Sequence, residues 1–177
     1  MKTLDNTIRY HELIMSYDDT EHCPEFDLPE GFHFEFYQKK DKMDWIQIHI
    51  ESGEFTSIRE GESIFHSFYD SFIDELSKRC IFIVKNDSQE KVGTATISPL
   101  KQKEYGYEAA MDWVAIKRSY QGKHLSKPLI SKGIHLAKEL NYNKIILHTQ
   151  TTSWLAVKIY LDIGFEPFKT TEDIGWQ

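Results

Sequence analysis

The 177 residues predict a mixed sheet flanked by helices, of α/β or α+β class. Three observations carry that expectation. Short runs alternate apolar and polar residues, longer runs repeat apolar residues every three or four positions, and the second half reads strand, loop, helix, strand, helix.

The polar stretch from Tyr17 to Gly31, with Pro24 and Pro29, reads as a loop. Phe32, Phe34 and Phe36 alternate with His33, Glu35 and Tyr37 as a half-buried strand does, and Asp41 can cap a helix carrying Met43, Trp45, Ile46 and Ile50. Ile64, Phe68, Phe72, Ile73 and Leu76 predict one helix from about Gly61 to Arg79. Ile81 to Lys85 and Val92 to Ile97 flank Asn86-Asp87-Ser88, which predicts an antiparallel hairpin. A third strand runs from Tyr107 to Ile116, followed by a polar loop, Lys117 to Lys123. The next helix carries Leu125, Leu129, Ile130, Ile134, Ala137 and Leu140, has Pro128 in its first turn, and ends at Asn141 or Asn143. Lys144 to Thr149 reads as a buried strand. Ser153 can then cap a helix through Ala156, Ile159 and Tyr160 that Gly164 stops, before a last short strand from Phe165 to Phe168.

The length fits a single domain, 1–177, in which 1–31 is an N-terminal extension of open role. Hydrophobic residues make up 40% and charged residues 28%, as in a globular chain. A net charge of -7 argues against a nucleic acid or an anionic membrane as partner. Cys23 and Cys80 make no disulfide framework, which fits a reducing cytoplasm. The eight histidines lack metal-ligand spacing, so no metal is expected; His22-Cys23 is an isolated pair. Polar residues within Met1 to Met15 break any signal-peptide core. No Gly-x-Ser-x-Gly elbow, P-loop or Gly-x-Gly-x-x-Gly occurs.

Chemistry concentrates between Trp113 and Ser126. There a strand enters a loop whose successive N–H groups, with the first turn of a helix, offer donors and partial positive charge to a phosphate; Lys123 and Lys127 add point charges at the rim. A charged strand-helix loop is also, commonly, only a solvated connection.

The segment resembles motif A of the GCN5-related N-acetyltransferase superfamily. That motif is an apolar-Ala-apolar strand end leading into a Gln/Arg-x-x-Gly-x-Gly/Ala loop around the coenzyme A pyrophosphate. Val114-Ala115-Ile116 matches the triplet and Gln121 the first loop position, with Gly122 beside it. His124 and Ser126 depart from the motif, which has glycine and then glycine or alanine at those places. Further on, Ser153 through Phe165 resembles motif B, Asn-x-x-Ala-x-x-Leu-Tyr-x-x-x-Gly-Phe, with Ala156, Tyr160, Gly164 and Phe165 in register and Ser153 in place of asparagine. The resemblance covers Val92 to Phe168 and extends back to Phe32 in the order of its elements. Met1 to Gly31 has no counterpart in it.

The resemblance implies a mostly antiparallel sheet splayed at the motif A strand. It also implies acetyl-CoA as cosubstrate without a metal, and direct attack by an amine in a ternary complex. Val114, Ala115 and Ile116 would pair with the pantetheine arm, the Val114 N–H would face the thioester oxygen, and Gln121, Gly122, Lys123, His124, Leu125 and Ser126 would hold the pyrophosphate. Tyr160 would protonate the leaving sulfur; a tyrosine with its ring in the core is the plainer alternative. Ser153 would hold a coenzyme hydroxyl or amide, or only cap its helix. For the amine's proton, Asp112 and Glu108 fall on one face with Val114 and Ile116 by period-two counting, and either is a candidate base unless both face solvent. His148 is a relay or a structural histidine. The acceptor is a small-molecule or peptide amine, and a homodimer is compatible with the sequence. A coenzyme-binding, non-catalytic regulatory protein is the rival reading, motivated by His124 and Ser126.

Overall fold

A computed structural model of the chain describes residues 5, 7–168 and 176. In chain order the elements are β1 (Glu12–Tyr17), β2 (Phe32–Phe36), α1 (Lys42–Ser52), α2 (Ile58–Tyr69), α3 (Leu76–Arg79), β3 (Cys80–Lys85), β4 (Lys91–Glu104), β5 (Tyr107–Ile116), α4 (Ser126–Glu139), β6 (Ile145–Gln150), α5 (Trp154–Ile163) and β7 (Glu166–Pro167). The strands form one mixed, mostly antiparallel sheet in the order β2-β3-β4-β5-β6-β1-β7, flanked by helices, with β5 and β6 parallel. The chain divides into two compact units, one of Met1–Phe26, Ile97–Asp112 and Ile130–Gln177, the other of Asp27–Thr96 and Trp113–Leu129.

In the first unit β1 lies antiparallel to β6 over six residues, Glu12 opposite Gln150 through Tyr17 opposite Ile145, and its other edge pairs with β7. Leu13, Met15 and Tyr17 are buried at alternate positions, as a half-buried strand requires. Tyr17 packs its ring 5.2 Å from that of Phe165. Sequence reasoning left Met1 to Met15 without an element, and β1 corrects that. The loop after β1 is tied down by Thr20, whose hydroxyl donates to the Tyr142 carbonyl at 2.8 Å.

The second unit is built round Trp45, fully buried on α1. Its ring lies 4.3 Å from His49 and 5.3 to 5.6 Å from Phe55, Phe65, Tyr69 and Trp113, mostly edge to face. Such pairs add roughly 0.5–1.5 kcal/mol each beyond area burial. β2 and β3 pair antiparallel from Phe32 opposite Lys85 to Phe36 opposite Ile81.

Several expectations are corrected. The helix drawn from Gly61 to Arg79 is three pieces. α2 begins three residues earlier, where the Ser57 hydroxyl accepts the Glu60 N–H at 3.2 Å, and the run after Tyr69 breaks at Phe72, whose φ of -144° is not helical. β4 runs on to Glu104, well past Ile97, because Tyr105 and Gly106 (φ 49° and 88°) make a tight two-residue turn into β5. The last strand is only Glu166–Pro167. Asp41 stands at the start of α1, but its carboxylate accepts the Gln38 N–H at 2.8 Å and caps nothing of that helix.

Candidate functional site

Within the second unit, the end of β5 passes into the loop through a left-handed residue, Trp113, with φ of 52°. A side chain there costs about 1–2 kcal/mol of backbone strain. The indole is held by Trp45, His49, Phe55 and Phe68 at centroid distances of 5.4 to 5.6 Å. That φ departs from the extended backbone of the rest of β5. Val114 is half-buried, Ala115 and Ile116 buried.

The loop is anchored at its base by charge. Lys117, 6% exposed, places its ammonium 2.8 Å from Glu90 and 3.2 Å from Glu51, and its N–H donates to the Val92 carbonyl at 2.9 Å. Burial works to lower the Lys117 ammonium, but the hydrogen bonds to Glu90 and Glu51 outweigh it and leave it raised. Tyr120 donates its phenol to Glu90 at 2.7 Å, which pushes that phenol up to about 12, while Lys117 first and Tyr120 second hold the Glu90 carboxyl low. Gln121 turns its amide back to donate to the Ile116 carbonyl at 3.0 Å. Lys123 lays its ammonium over the Tyr120 ring, 4.6 Å from the centroid.

Gly122 and His124 both adopt left-handed backbone, with φ of 77° and 59°. His124 thus keeps, with a side chain, a conformation that glycine takes freely, and its ring is exposed. Leu125 is buried and its carbonyl accepts the Leu129 N–H at 3.1 Å, opening α4 at Ser126, itself half-buried. Among the described residues no acceptor takes the N–H groups of Gly122, Lys123, His124 and Leu125. Free donors with alternating left-handed residues at a helix start form the kind of concavity that takes an anion.

The other candidate residues belong to the first unit. Tyr160 is buried on α5 and its ring lies 5.6 Å from Phe165. Gly164, with φ of 117°, closes the helix: Phe165 N–H donates to the Tyr160 carbonyl at 3.0 Å and Gly164 N–H to that of Leu161 at 3.1 Å. This paired closure with an apolar contact across it fixes the last turn. Ser153 stands at the start of α5 without a capping hydrogen bond, because a 3-10 turn from Thr151 leads straight into the helix; its expected cap role is corrected. Glu108 is exposed and paired with Lys103, which holds it below the usual carboxylate range. Asp112 differs. Burial pushes its carboxyl up to about 6, opposed by Ser98 and the charge of His148 and aided by Glu104. His148 sits between two carboxylates, Nδ1 2.9 Å from Glu12 and Nε2 3.2 Å from Glu104.

The profile of the Acetyltransferase (GNAT) family matches residues 43–165. The chain belongs to that family. Among relatives, N-acetyltransferase 8B of Rattus norvegicus is 27% identical over 86 residues, 48% of this chain and 39% of that protein. The match spans well under half of that relative's length. Among solved structures, a GCN5-related N-acetyltransferase from Sphaerobacter thermophilus has a TM-score of 0.69 at 16% identity, over 89% of this chain and 48% of that one. AAC(6')-Iy, solved with a bisubstrate analogue that includes coenzyme A, has a TM-score of 0.60 at 10% identity, over 79% of this chain and 94% of that one. Membership of this family agrees with the resemblance read from Val114 to Ser126 and from Ser153 to Phe165.

Among the described residues no helix is long and apolar enough to cross a membrane, and no group of three or more His, Cys, Asp or Glu side chains is placed to hold a metal. His22 pairs with Asp19 at 2.7 Å, while Cys23 lies buried with Sγ 3.8 Å from Ser131 Oγ. Sequence reasoning missed Glu12, because β1 was not seen, Glu104, because β4 was ended too early, and His49, whose polar ring on the apolar side of α1 is legible from its spacing with Trp45 and Ile46.

Proposed function

We propose that the chain transfers the acetyl group of acetyl-CoA to a primary amine, on a small molecule or a peptide, by direct attack within a ternary complex. The observation that carries this reading is the Gly122–Leu125 turn. Its unpartnered N–H groups and left-handed backbone at positions 122 and 124 suit the diphosphate of a coenzyme in a family of acetyltransferases. The AAC(6')-Iy complex with a coenzyme A bisubstrate analogue supports the same cosubstrate.

Acetyl-CoA would supply an activated acetyl thioester; the residues of this chain do the rest. Gln121, Gly122, Lys123, His124, Leu125 and Ser126 would bind the diphosphate, with Lys123 and Lys127 adding positive charge to a chain of net charge -7. The strand end Val114-Ala115-Ile116 would align the pantetheine arm, and the Val114 N–H would stabilise negative charge developing on the acetyl oxygen. A fixed donor of that kind lowers acyl-transfer barriers by roughly 2.7–4 kcal/mol. Asp112 would take the proton from the acceptor ammonium. Its carboxyl, raised to about 6, is a stronger base than an ordinary aspartate yet remains mostly ionised at neutral pH. Glu108, low and paired with Lys103, is the weaker candidate. As the new C–N bond forms and the C–S bond breaks, the Tyr160 phenol would give its proton to the departing sulfur, and the second proton of the attacking nitrogen, passed on through water, would restore the phenol. Ser153 would contribute at most one hydrogen bond to the coenzyme. The acidic composition, net charge -7, favours a cationic amine as acceptor.

Isothermal titration with acetyl-CoA, followed by a thiol-release assay across a panel of primary amines, tests the proposal. Acetyl-CoA is expected to bind, and at least one amine to be acetylated. Tyr160→Phe is expected to lower kcat by roughly 10²–10⁴, the range of general acid catalysis, while acetyl-CoA affinity stays within about threefold of wild type, about 0.7 kcal/mol. Absence of acetyl-CoA binding refutes the reading; binding without turnover of any amine turns it into the regulatory one.

A further inference from the structure

The sheet register of the first unit gathers a polar cluster on one face. β5 and β6 run parallel with Ala110 opposite Ile146, so a step of two residues along each strand keeps Asp112 and His148 on that same face. β1 runs antiparallel to β6 with Ile14 opposite His148, which puts Glu12 and Ile14 there too. The floor is apolar, formed by Ala110, Ile146, Ile14 and Leu100. On this floor His148 is clamped at both ring nitrogens, at 2.9 Å by Glu12 of β1 and at 3.2 Å by Glu104 of β4. An imidazole with a carboxylate at each nitrogen donates to both only as imidazolium. Beside Asp112 the hydroxyl of Ser98, 3% exposed, has no partner at full hydrogen-bond geometry among the described residues.

We propose that His148, fixed between Glu12 and Glu104 on the face it shares with Asp112, is the positioning residue for Asp112, its ring favouring the carboxylate form that receives the acceptor's proton. This rests on the reading of Asp112 as the base. The proton passes from the acceptor ammonium to the Asp112 carboxylate and from there to solvent water. The charged groups that face Asp112 are His148 from β6 and Glu104 from β4, with Glu12 of β1 acting through His148. Glu108, on β5 itself, is occupied by Lys103. His148 lowers the Asp112 carboxyl and Glu104 raises it, so the balance between ring and carboxylate sets where the base titrates. Glu12 gives β1 a role beyond filling the sheet, since the N-terminal strand supplies one jaw of the clamp.

The test uses the full chain with acetyl-CoA and an amine that the wild type turns over. kcat/KM against pH is measured for wild type, His148→Gln and His148→Lys, and the Asp112 carboxyl is titrated in each by 13C NMR of aspartate-labelled protein, assigned with Asp112→Asn. Loss of a facing positive charge raises a carboxyl by about one unit. For His148→Gln, kcat/KM at pH 6 is therefore expected to fall about fivefold, with little change at pH 9. The Asp112 resonance should move in step, and His148→Lys, which keeps the charge, should restore both curves. An Asp112 titration that His148→Gln leaves in place overturns the coupling while leaving Asp112 as base. Wild-type turnover in Asp112→Asn overturns the base assignment and the proposal with it.

Discussion

Replacing His49 by phenylalanine is expected to remove a specific part of the protein's acid sensitivity. The imidazole is 1% exposed on α1, tilted against Trp45 with ring centroids 4.3 Å apart and flanked by Phe55 and Trp113, and neither ring nitrogen has a hydrogen-bond partner among the described residues. Burial among these rings lowers its pKa from 6.5 to about 3. The unfolded chain therefore binds a proton at this site below pH 6.5, whereas the folded chain resists it until about pH 3, and stability is lost as pH falls through that window. Between pH 8 and pH 5 the linkage amounts to about 2 kcal/mol, or roughly 4–8 °C in Tm for a chain of this size. Urea denaturation followed by tryptophan fluorescence at both pH values, for wild type and His49→Phe, reads it directly. All other titrating groups are shared by the two proteins and cancel in the double difference. At pH 8 the variant trades two unpartnered buried nitrogens, worth roughly 1–3 kcal/mol each, against the strain of a larger ring, so its absolute stability is not the readout. A double difference under about 0.5 kcal/mol would refute the argument.

Two further outcomes are expected. His124→Gly removes a side chain from left-handed backbone and should stabilise the fold by about 1 kcal/mol net of the added chain entropy, measured by thermal unfolding, with no gain if φ at 124 is not positive. Glu90→Gln leaves the buried Lys117 with Glu51 alone and removes the anion facing Tyr120. A loss of about 1–3 kcal/mol is expected by denaturation, and the Tyr120 phenol should titrate closer to 10 than to 12 by ultraviolet absorbance; an unmoved phenol would dissociate Tyr120 from that carboxylate.

Much of the fold was legible because it depends on local patterns. Phe32, Phe34 and Phe36 alternate as β2 does, Gly164 closes α5 with the left-handed backbone expected of a C-terminal glycine, and the strand-loop-helix order of Tyr107 to Glu139 is as read. What failed depends on longer range. The Leu13, Met15 and Tyr17 alternation of β1 spans six residues, and only its pairing with β6 gives those side chains a buried face. The break at Phe72 interrupts a run whose apolar spacing favours a continuous helix; spacing reports which side is apolar, not whether the backbone continues. Of the candidate residues, Gln121 to Ser126 and Tyr160 were visible as positions of the family resemblance. The left-handed φ of Trp113 was not, because no propensity places a tryptophan in left-handed backbone. Nor was the Glu12–His148–Glu104 clamp, since its three residues meet only through strand register.

The two left-handed side chains that bracket the loop are held in different ways, and the difference bears on what the loop is for. Trp113 is locked by four aromatic neighbours, so packing of the second unit accounts for its strain without any reference to a ligand. His124 has no such support, being exposed on a short turn between Gln121, which is tied to the Ile116 carbonyl, and the buried Leu125. Packing does not require that turn to be left-handed, whereas an anion cradle does, because left-handed residues in alternation aim successive N–H groups at one point. Under the proposed coenzyme reading, the left-handed φ at 124 serves to align those donors.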